Sequence, residues 1–440
     1  MATLYPNRLA EERAAHGIDA ASRLAELANV DADLYARMED GELLPSLEEF
    51  DRIRAVLGGI DAKSLYTWGV GRTIGGHDEP EDHAKFWGDL SDSGHILVSR
   101  DEMTWFDRNT KPDREVDVFV NLSCGAQHTP HILLDTVASL RALGVSFAAG
   151  SGALFCCGTN YRAGGDTRGA EAMRAASVGR TTKWGAGLAV HMCTQCVNTF
   201  TEVERRQRHA GGTPPENMQL HTFVEKTLRG LGDRVPWKRS VAAKVLVLRQ
   251  DISPVHSAAS DTVARWLALV PGVEVVGAVD QDILNVSGGG NAHVIMSGPR
   301  PERDAIVQKR EQLADLFAAR GADTMAAMHH TGYQWWARYA SDRLRVWHPF
   351  SILAAALGVE HPDRYQAALR TGDPAAVLEQ TRRIWSSWNM KEERARYLVG
   401  QIFAPALADG VHCACGGTGG CRGEELIDID VLTGKPLARR

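Results

Sequence analysis

No apolar run in this chain of 440 residues approaches the 18 or so needed for a membrane-crossing helix. The amino terminus, Met1-Ala2-Thr3-Leu4-Tyr5-Pro6-Asn7-Arg8, lacks the basic and apolar segments of a secretory signal. Lysine is missing from residues 1–60, and cysteine is missing from the whole stretch between Cys196 and Cys413. The first two absences predict a cytoplasmic protein without a span. In a reducing compartment the eight cysteines form no disulfide framework and are left for metal. A content of 44% hydrophobic and 24% charged residues is that of an ordinary globular protein, long enough for two or three cores.

Five of the eight cysteines lie between positions 124 and 196. Cys124 is followed after 31 residues by the adjacent pair Cys156 and Cys157, with Gly158 next. After 35 more residues come Cys193 and Cys196, enclosing Thr194 and Gln195. A Cys-x2-Cys unit gives two thiolates from one turn, the vicinal pair adds two at a second corner, and an iron cluster needs such thiolates converging from separate loops. The alternative is a set of small buried hydrophobes. Between the cysteines, residues 116–122 and 145–149 read as strands, 131–144 and 170–187 as helices, and 188–192 as a strand delivering Cys193. Alternating strands and helices predict a parallel sheet, with the cysteines beyond the carboxyl ends of its strands.

The constellation resembles the CCG (cysteine-rich) domain family of heterodisulfide reductase, a domain that recurs in iron–sulfur subunits of lactate, glycolate and glycerol-3-phosphate oxidising systems. Both long spacings and the glycine after the vicinal pair fit that pattern. The resemblance implies a non-cubane [4Fe-4S] cluster held by Cys124, Cys156, Cys157, Cys193 and Cys196.

From about residue 241 the chain echoes itself. Asp135-Thr136-Val137-Ala138 recurs as Asp261-Thr262-Val263-Ala264, and Leu143-Gly144-Val145 is echoed by Pro271-Gly272-Val273. The cysteine stretch 191–196 is echoed by His329-His330-Thr331-Gly332-Tyr333 after residues 324–328. In this register Cys124 corresponds to Gln250, Cys156 and Cys157 to about Leu284 and Asn285, and Cys193 and Cys196 to His330 and Tyr333. The second copy has no thiolates. His329, His330, Tyr333, Trp335, Trp336, Trp347 and His348 furnish the vacated position, as a catalytic pocket led by His330 and Tyr333 or as filler for a lost cluster.

Residues 8–57 resemble the helix-turn-helix domain of the Xre/Cro repressor class. Leu24, Ala25, Val30, Leu34 and Met38 form its expected core, and Gly41 ends its third helix. DNA binding is disfavoured, because residues 1–60 hold six arginines, no lysine and twelve acidic residues, a net of −6 that accounts for the whole charge of the chain. The third helix opens on Asp31-Ala32-Asp33, two carboxylates where a groove-reading surface needs basic or neutral groups. A docking or dimerisation role fits this sign better. The connector carries Trp68, Trp87 and Trp105, expected to pack against a neighbouring domain.

The tail runs His412-Cys413-Ala414-Cys415-Gly416-Gly417-Thr418-Gly419-Gly420-Cys421. Its Cys-x-Cys-x5-Cys spacing is not that of common zinc sites, and its glycines favour motion. Cys413, Cys415 and Cys421 are expected to act as a mobile thiol arm in exchange chemistry, with a further ligand set or no chemistry as alternatives.

The expected fold class is therefore α/β. It has two tandem CCG-type repeats, the second degenerate, preceded by an all-α helix-turn-helix domain. The expected boundaries are 1–60 for the head, 61–114 for a connector, 115–240 for the iron–sulfur domain, 241–358 for the degenerate repeat, and 359–440 for a helical segment and tail. The function implied is an iron–sulfur oxidoreductase component acting on a thiol, disulfide or other sulfur-containing small molecule. Its electron-transfer partner would be a flavoprotein or a ferredoxin-like protein, with a homodimer as a further expected assembly. A redox-sensing transcription regulator and a non-enzymatic docking scaffold stand as alternatives.

Overall fold

The computed structural model describes residues 7–60, 65, 70–71, 89, 91–105, 116–158, 167–249, 254–280, 303–403 and 427–428. The head is four helices, Leu9–Ala15, Ala21–Leu27, Ala32–Glu39 and Leu47–Val56. Their starts are set by side chains that satisfy free backbone donors. Asp31 accepts from the amide of Leu34 at 2.9 Å, and Ser46 with Glu49 closes a reciprocal capping box on the fourth helix. Gly41, at φ 69°, turns the chain out of the third helix. The five core residues expected from the sequence are all buried, and Leu9, Tyr35, Phe50 and Ile53 join them.

The rest is built on two four-stranded parallel sheets. The first contains β1 (Val118–Asn121), β2 (Phe147–Gly150), β3 (Leu188–His191) and β4 (Glu216–Gln219), in the order β2-β1-β3-β4. The second contains β5 (Ala243–Arg249), β6 (Val273–Asp280), β7 (Thr324–Ala327) and β8 (Arg345–Trp347), in the order β6-β5-β7-β8. Every pairing in both sheets is parallel. The central strands read as unbroken apolar runs, as strands covered on both faces must. Val118, Phe119, Val120 and Asn121 are all buried, as are Thr324 to Ala327.

The first helix of each sheet unit packs on the last helix of the other. Helix Pro130–Ala142 lies against Pro349–Leu357, and Leu220–Leu231 lies against Pro254–Leu267. One continuous apolar core results. It runs from Ile96 to Val98 through both sheets to Leu398 and Phe403. The head has its own separate core.

Element bounds differ modestly from expectation. Pro130, whose fixed φ suits a first helical position, starts the helix read as 131–144, and it ends at Ala142. The helix read as 170–187 is Thr167–Lys183. The helical segment expected within 359–440 is four helices over the described residues, Arg364–Thr371, Pro374–Gln380, Arg382–Ser386 and Glu392–Ile402. Left-handed turns at Gly372 (φ 72°) and Asn389 (φ 55°) divide them. Trp105 is buried in the large core, while Trp68 and Trp87 lie outside the described residues. Among the described residues, no helix is long and apolar enough to cross a membrane.

Candidate functional site

The loop after β1, the loop after β2 and the start of the helix after β3 bring Cys124, Cys156, Cys157, Cys193 and Cys196 together. Side chains beneath them tie the loops to one another. Asn121 donates from Nδ2 to the carbonyl of Phe155 at 2.9 Å, and its Oδ1 accepts from the amide of Ser123 at 3.0 Å. Ser151 donates its hydroxyl to the carbonyl of Ser123 at 2.6 Å, and Ser177 donates to that of Cys156 at 2.8 Å. Arg174 donates from Nε to the carbonyl of Cys157 at 3.2 Å.

Gly158 has a structural reason to follow the vicinal pair. It stands at φ 78°, and a Cβ there would meet the carbonyl oxygen of Ala170 at 2.4 Å. Both the left-handed turn and the close backbone approach demand glycine.

Cys157, Cys193 and Cys196 pack in one buried cluster, and the thiols act on one another's protonation. Cys156 responds to Cys124 and Cys157, and Cys196 to Cys157 and Cys193. All but Cys124 are buried, and none is in a disulfide. Protons are shared unequally. Cys156 is held well above the usual thiol range by its bonds to Cys124 and Cys157 and by burial. Cys196 is held high by Cys157, Cys193 and burial. Cys193 is pushed well below that range, because the Cys196 thiol donates to it and His329 lies beside it, against the cost of burial. A thiolate is the metal ligand and the nucleophile, and Cys193 is the thiol that favours that form.

His329 stands at the N-cap of the helix His330–Trp336 as Cys193 stands at that of Thr194–His209, each two residues past the end of its strand, and only His329 adds a side-chain capping bond. Nε2 of His329 lies 3.4 Å from Sγ of Cys193. Its Nδ1 faces the amide of Thr331 at 3.3 Å and the Thr331 hydroxyl at 2.5 Å. A backbone N–H only donates, so Nδ1 is the acceptor and Nε2 carries the hydrogen that points at the sulfur. Burial, then neighbouring His330, lowers the pKa of His329 despite Cys193.

His330 and Tyr333, the catalytic pair expected from the sequence, part company. Nε2 of His330 lies 3.2 Å from the hydroxyl of Ser123, and a Cβ on Gly125 would meet it at 2.9 Å. It therefore abuts the loop of Cys124, with its pKa driven to about 3 by burial and by His128. Tyr333 turns away. Its hydroxyl donates to Asp363 and its ring packs edge-on to His131 at 5.2 Å. The register in which Cys193 answers to His330 is thus one residue out, since the helix caps make His329 its structural counterpart. The aromatic residues of this region pack on their neighbours. Arg338 covers Trp335 at 4.3 Å, Arg345 covers Trp347 at 5.0 Å, and Trp336 packs on Tyr339. His348 caps its helix and bonds the carbonyl of Met328 at 3.0 Å. Gln250, Leu284, Asn285 and the tail residues Cys413, Cys415 and Cys421 lie outside the described residues.

The donor set suits a thiolate-bound group in number and softness, with five sulfurs from three loops and one already favouring its anion. Cys157, Cys193 and Cys196 pack against one another. Among the described residues, no three His, Cys, Asp or Glu side chains surround a single point as one ion would require. A shallow cleft beside this site is lined by Asn121, Phe155, Val178, His191, Phe200 and Asn217, and among the described residues no cysteine lines it. Phe200 and Val178 in its wall pack on Cys157, Cys193 and Cys196.

The head docks on the helix that Cys193 begins. Arg37 reaches Glu202 at 3.0 Å and Asn198 at 3.3 Å, and Arg205 reaches Asp31 at 2.8 Å and Asp33 at 2.6 Å. Arg206 pairs with Glu49 at 2.6 Å, and His209 meets Asn29 at 3.1 Å. Burial raises the Glu49 pKa, but Arg206 and the Ser46 cap outweigh it and the net shift is downward. Three carboxylates of the head, Asp31, Asp33 and Glu49, thus have arginine partners elsewhere in the chain. Reading the sequence missed these pairs, although Arg205, Arg206, Arg208 and His209 form a basic run of the complementary sign.

No family model, characterised protein or solved structure matches the chain.

Proposed function

We propose that this chain is an iron–sulfur redox protein of the heterodisulfide reductase type, acting on a thiol, disulfide or related sulfur compound with an electron-transfer partner. The observation that carries the reading is the set of five free thiols at the ends of three neighbouring strands, with the imidazole of His329 3.4 Å from Cys193. Two tandem units of one topology, the second without thiolates, are part of it. The matching strand orders and the matching helix caps at Cys193 and His329 support that arrangement.

Cys124, Cys156, Cys157, Cys193 and Cys196 would hold a [4Fe-4S] group, which when bound supplies one-electron transfer and a site for sulfur. The residues around it have defined tasks. Cys193 offers a thiolate without a strong base nearby, since its charge is met by the thiol of Cys196 and the N–H of His329. Thr331 fixes the orientation of that imidazole, as an outer partner does for a metal ligand. Phe200 and Val178 keep the sulfurs dry on the side of the cleft. Reducing a disulfide takes two electrons and one such group supplies one, so the second would come through the partner protein.

The test is anaerobic isolation or reconstitution, with iron and sulfide assays and electron paramagnetic resonance of the oxidised and reduced protein. About four irons per chain, most of them lost in both Cys157→Ser and Cys193→Ser, is the expected result. No iron after reconstitution, or full retention in both variants, would sink the proposal.

A further inference from the structure

The helix Thr194–His209 is shared between two structures that the sequence keeps far apart. One stripe of it, Cys196 and Phe200 with Cys193 at the cap, packs into the thiol site. Another stripe, Asn198, Glu202, Arg205, Arg206 and His209, receives the head. Residues 196 and 198 differ by about 200° around a helix, so the two stripes lie on opposite faces of one bar about 24 Å long.

The contact with the head is built as a lock. Glu202 is 6% and Glu49 3% exposed, so each carboxylate depends on its arginine across the interface. Removing one partner of such a pair leaves a buried charge uncompensated. The bar itself is stiff along its hydrogen-bonded length. A displacement imposed at one stripe therefore moves the other.

We infer that the head is a positioning clamp for the cysteines, so that docking of its third and fourth helices and the arrangement of Cys193 and Cys196 are two readings of one equilibrium. The clamp fixes the roll and tilt of the helix Thr194–His209, and with them where the two sulfurs lie against Cys157. Linkage makes the effect reciprocal: modifying the cysteines loosens the head, and releasing the head loosens the cysteines. The inference rests on the thiol site alone and does not require iron.

The experiment uses the full-length, metal-free, reduced protein. Arg37→Glu and Glu202→Arg are made singly and together, with Arg205→Glu as an independent variant at a more exposed pair. Hydrogen exchange over residues 32–39 reports docking of the head. The rate of iodoacetamide modification of Cys193 and Cys196, read by peptide mass spectrometry, reports the thiol site. Each single change should free the head and speed modification about tenfold, the scale of coupling between linked sites. The paired reversal should return both readouts toward the parent protein. In the other direction, modification of Cys196 should raise exchange over 32–39. The inference is overturned if the head is released with modification rates unchanged, if no single variant releases it, or if the paired reversal restores one readout without the other.

Discussion

At the end of β3 the chain places Cys193 two residues past the strand and begins a helix on it; at the end of β7 it places His329 at the same point and does the same. The strand orders around them match, and the two caps meet at 3.4 Å. One position therefore offers a sulfur that favours its anion, and the other an imidazole kept neutral by burial and aimed by Thr331. A parallel sheet fixes where the residue beyond a strand will stand, and the side chain found there decides the chemistry of the place.

Breaking the comparison on the sulfur side should have the largest effect. Cys193→Ser should lose most of the iron taken up by the parent, measured by iron assay after anaerobic reconstitution. The next largest effect belongs to the turn after the vicinal pair. Gly158→Ala should cost on the order of 2 kcal/mol in chemical denaturation of the metal-free protein, since it adds strain and a backbone clash together. Changing the imidazole side is subtler. His329→Leu removes an N–H that stabilises the Cys193 anion, so the midpoint of Cys193 alkylation against pH should move upward while folding is retained. An unmoved midpoint would mean that Cys196 alone holds the charge.

The smallest effect tests the seam between residues 91–105 and the carboxyl-terminal helices. Arg364 and the cap on Ser99 hold the Glu102 carboxyl at about 2, against partial burial. A depressed carboxylate contributes stability above its unfolded value, so this share should be lost as pH falls from about 4.5 to about 2. Glu102→Gln should flatten that part of the stability profile. The pair is about two-thirds buried, and solvent screening keeps the effect to around 1 kcal/mol.

The strands and the thiol set were legible because both are written in local pattern: unbroken apolar runs and cysteines at their ends. The partner of Cys193 was not. The residue echo set Cys193 against His330, whereas the helix cap puts His329 there, and a cap is defined by backbone geometry that a residue echo does not carry. Tyr333 fell outside the site for the same reason: its place in the helix points it to Asp363. The acidity of the head was plain in the sequence, but its meaning depended on Arg205 and Arg206, more than 150 residues away along the chain. Long-range charge complementarity leaves no local signature.

The reciprocal packing of first and last helices has a consequence for what the chain can discard. A protein ending near residue 240 would keep every cysteine of the five-thiol site and leave Val137 and Leu228 facing water where Leu353 and Val263 now meet the same core. The second sheet is thus not a remnant that trimming could remove. It is the hydrophobic counterpart without which the helices Pro130–Ala142 and Leu220–Leu231 turn an apolar side to water, and a half that carries no thiolate supports the half that does.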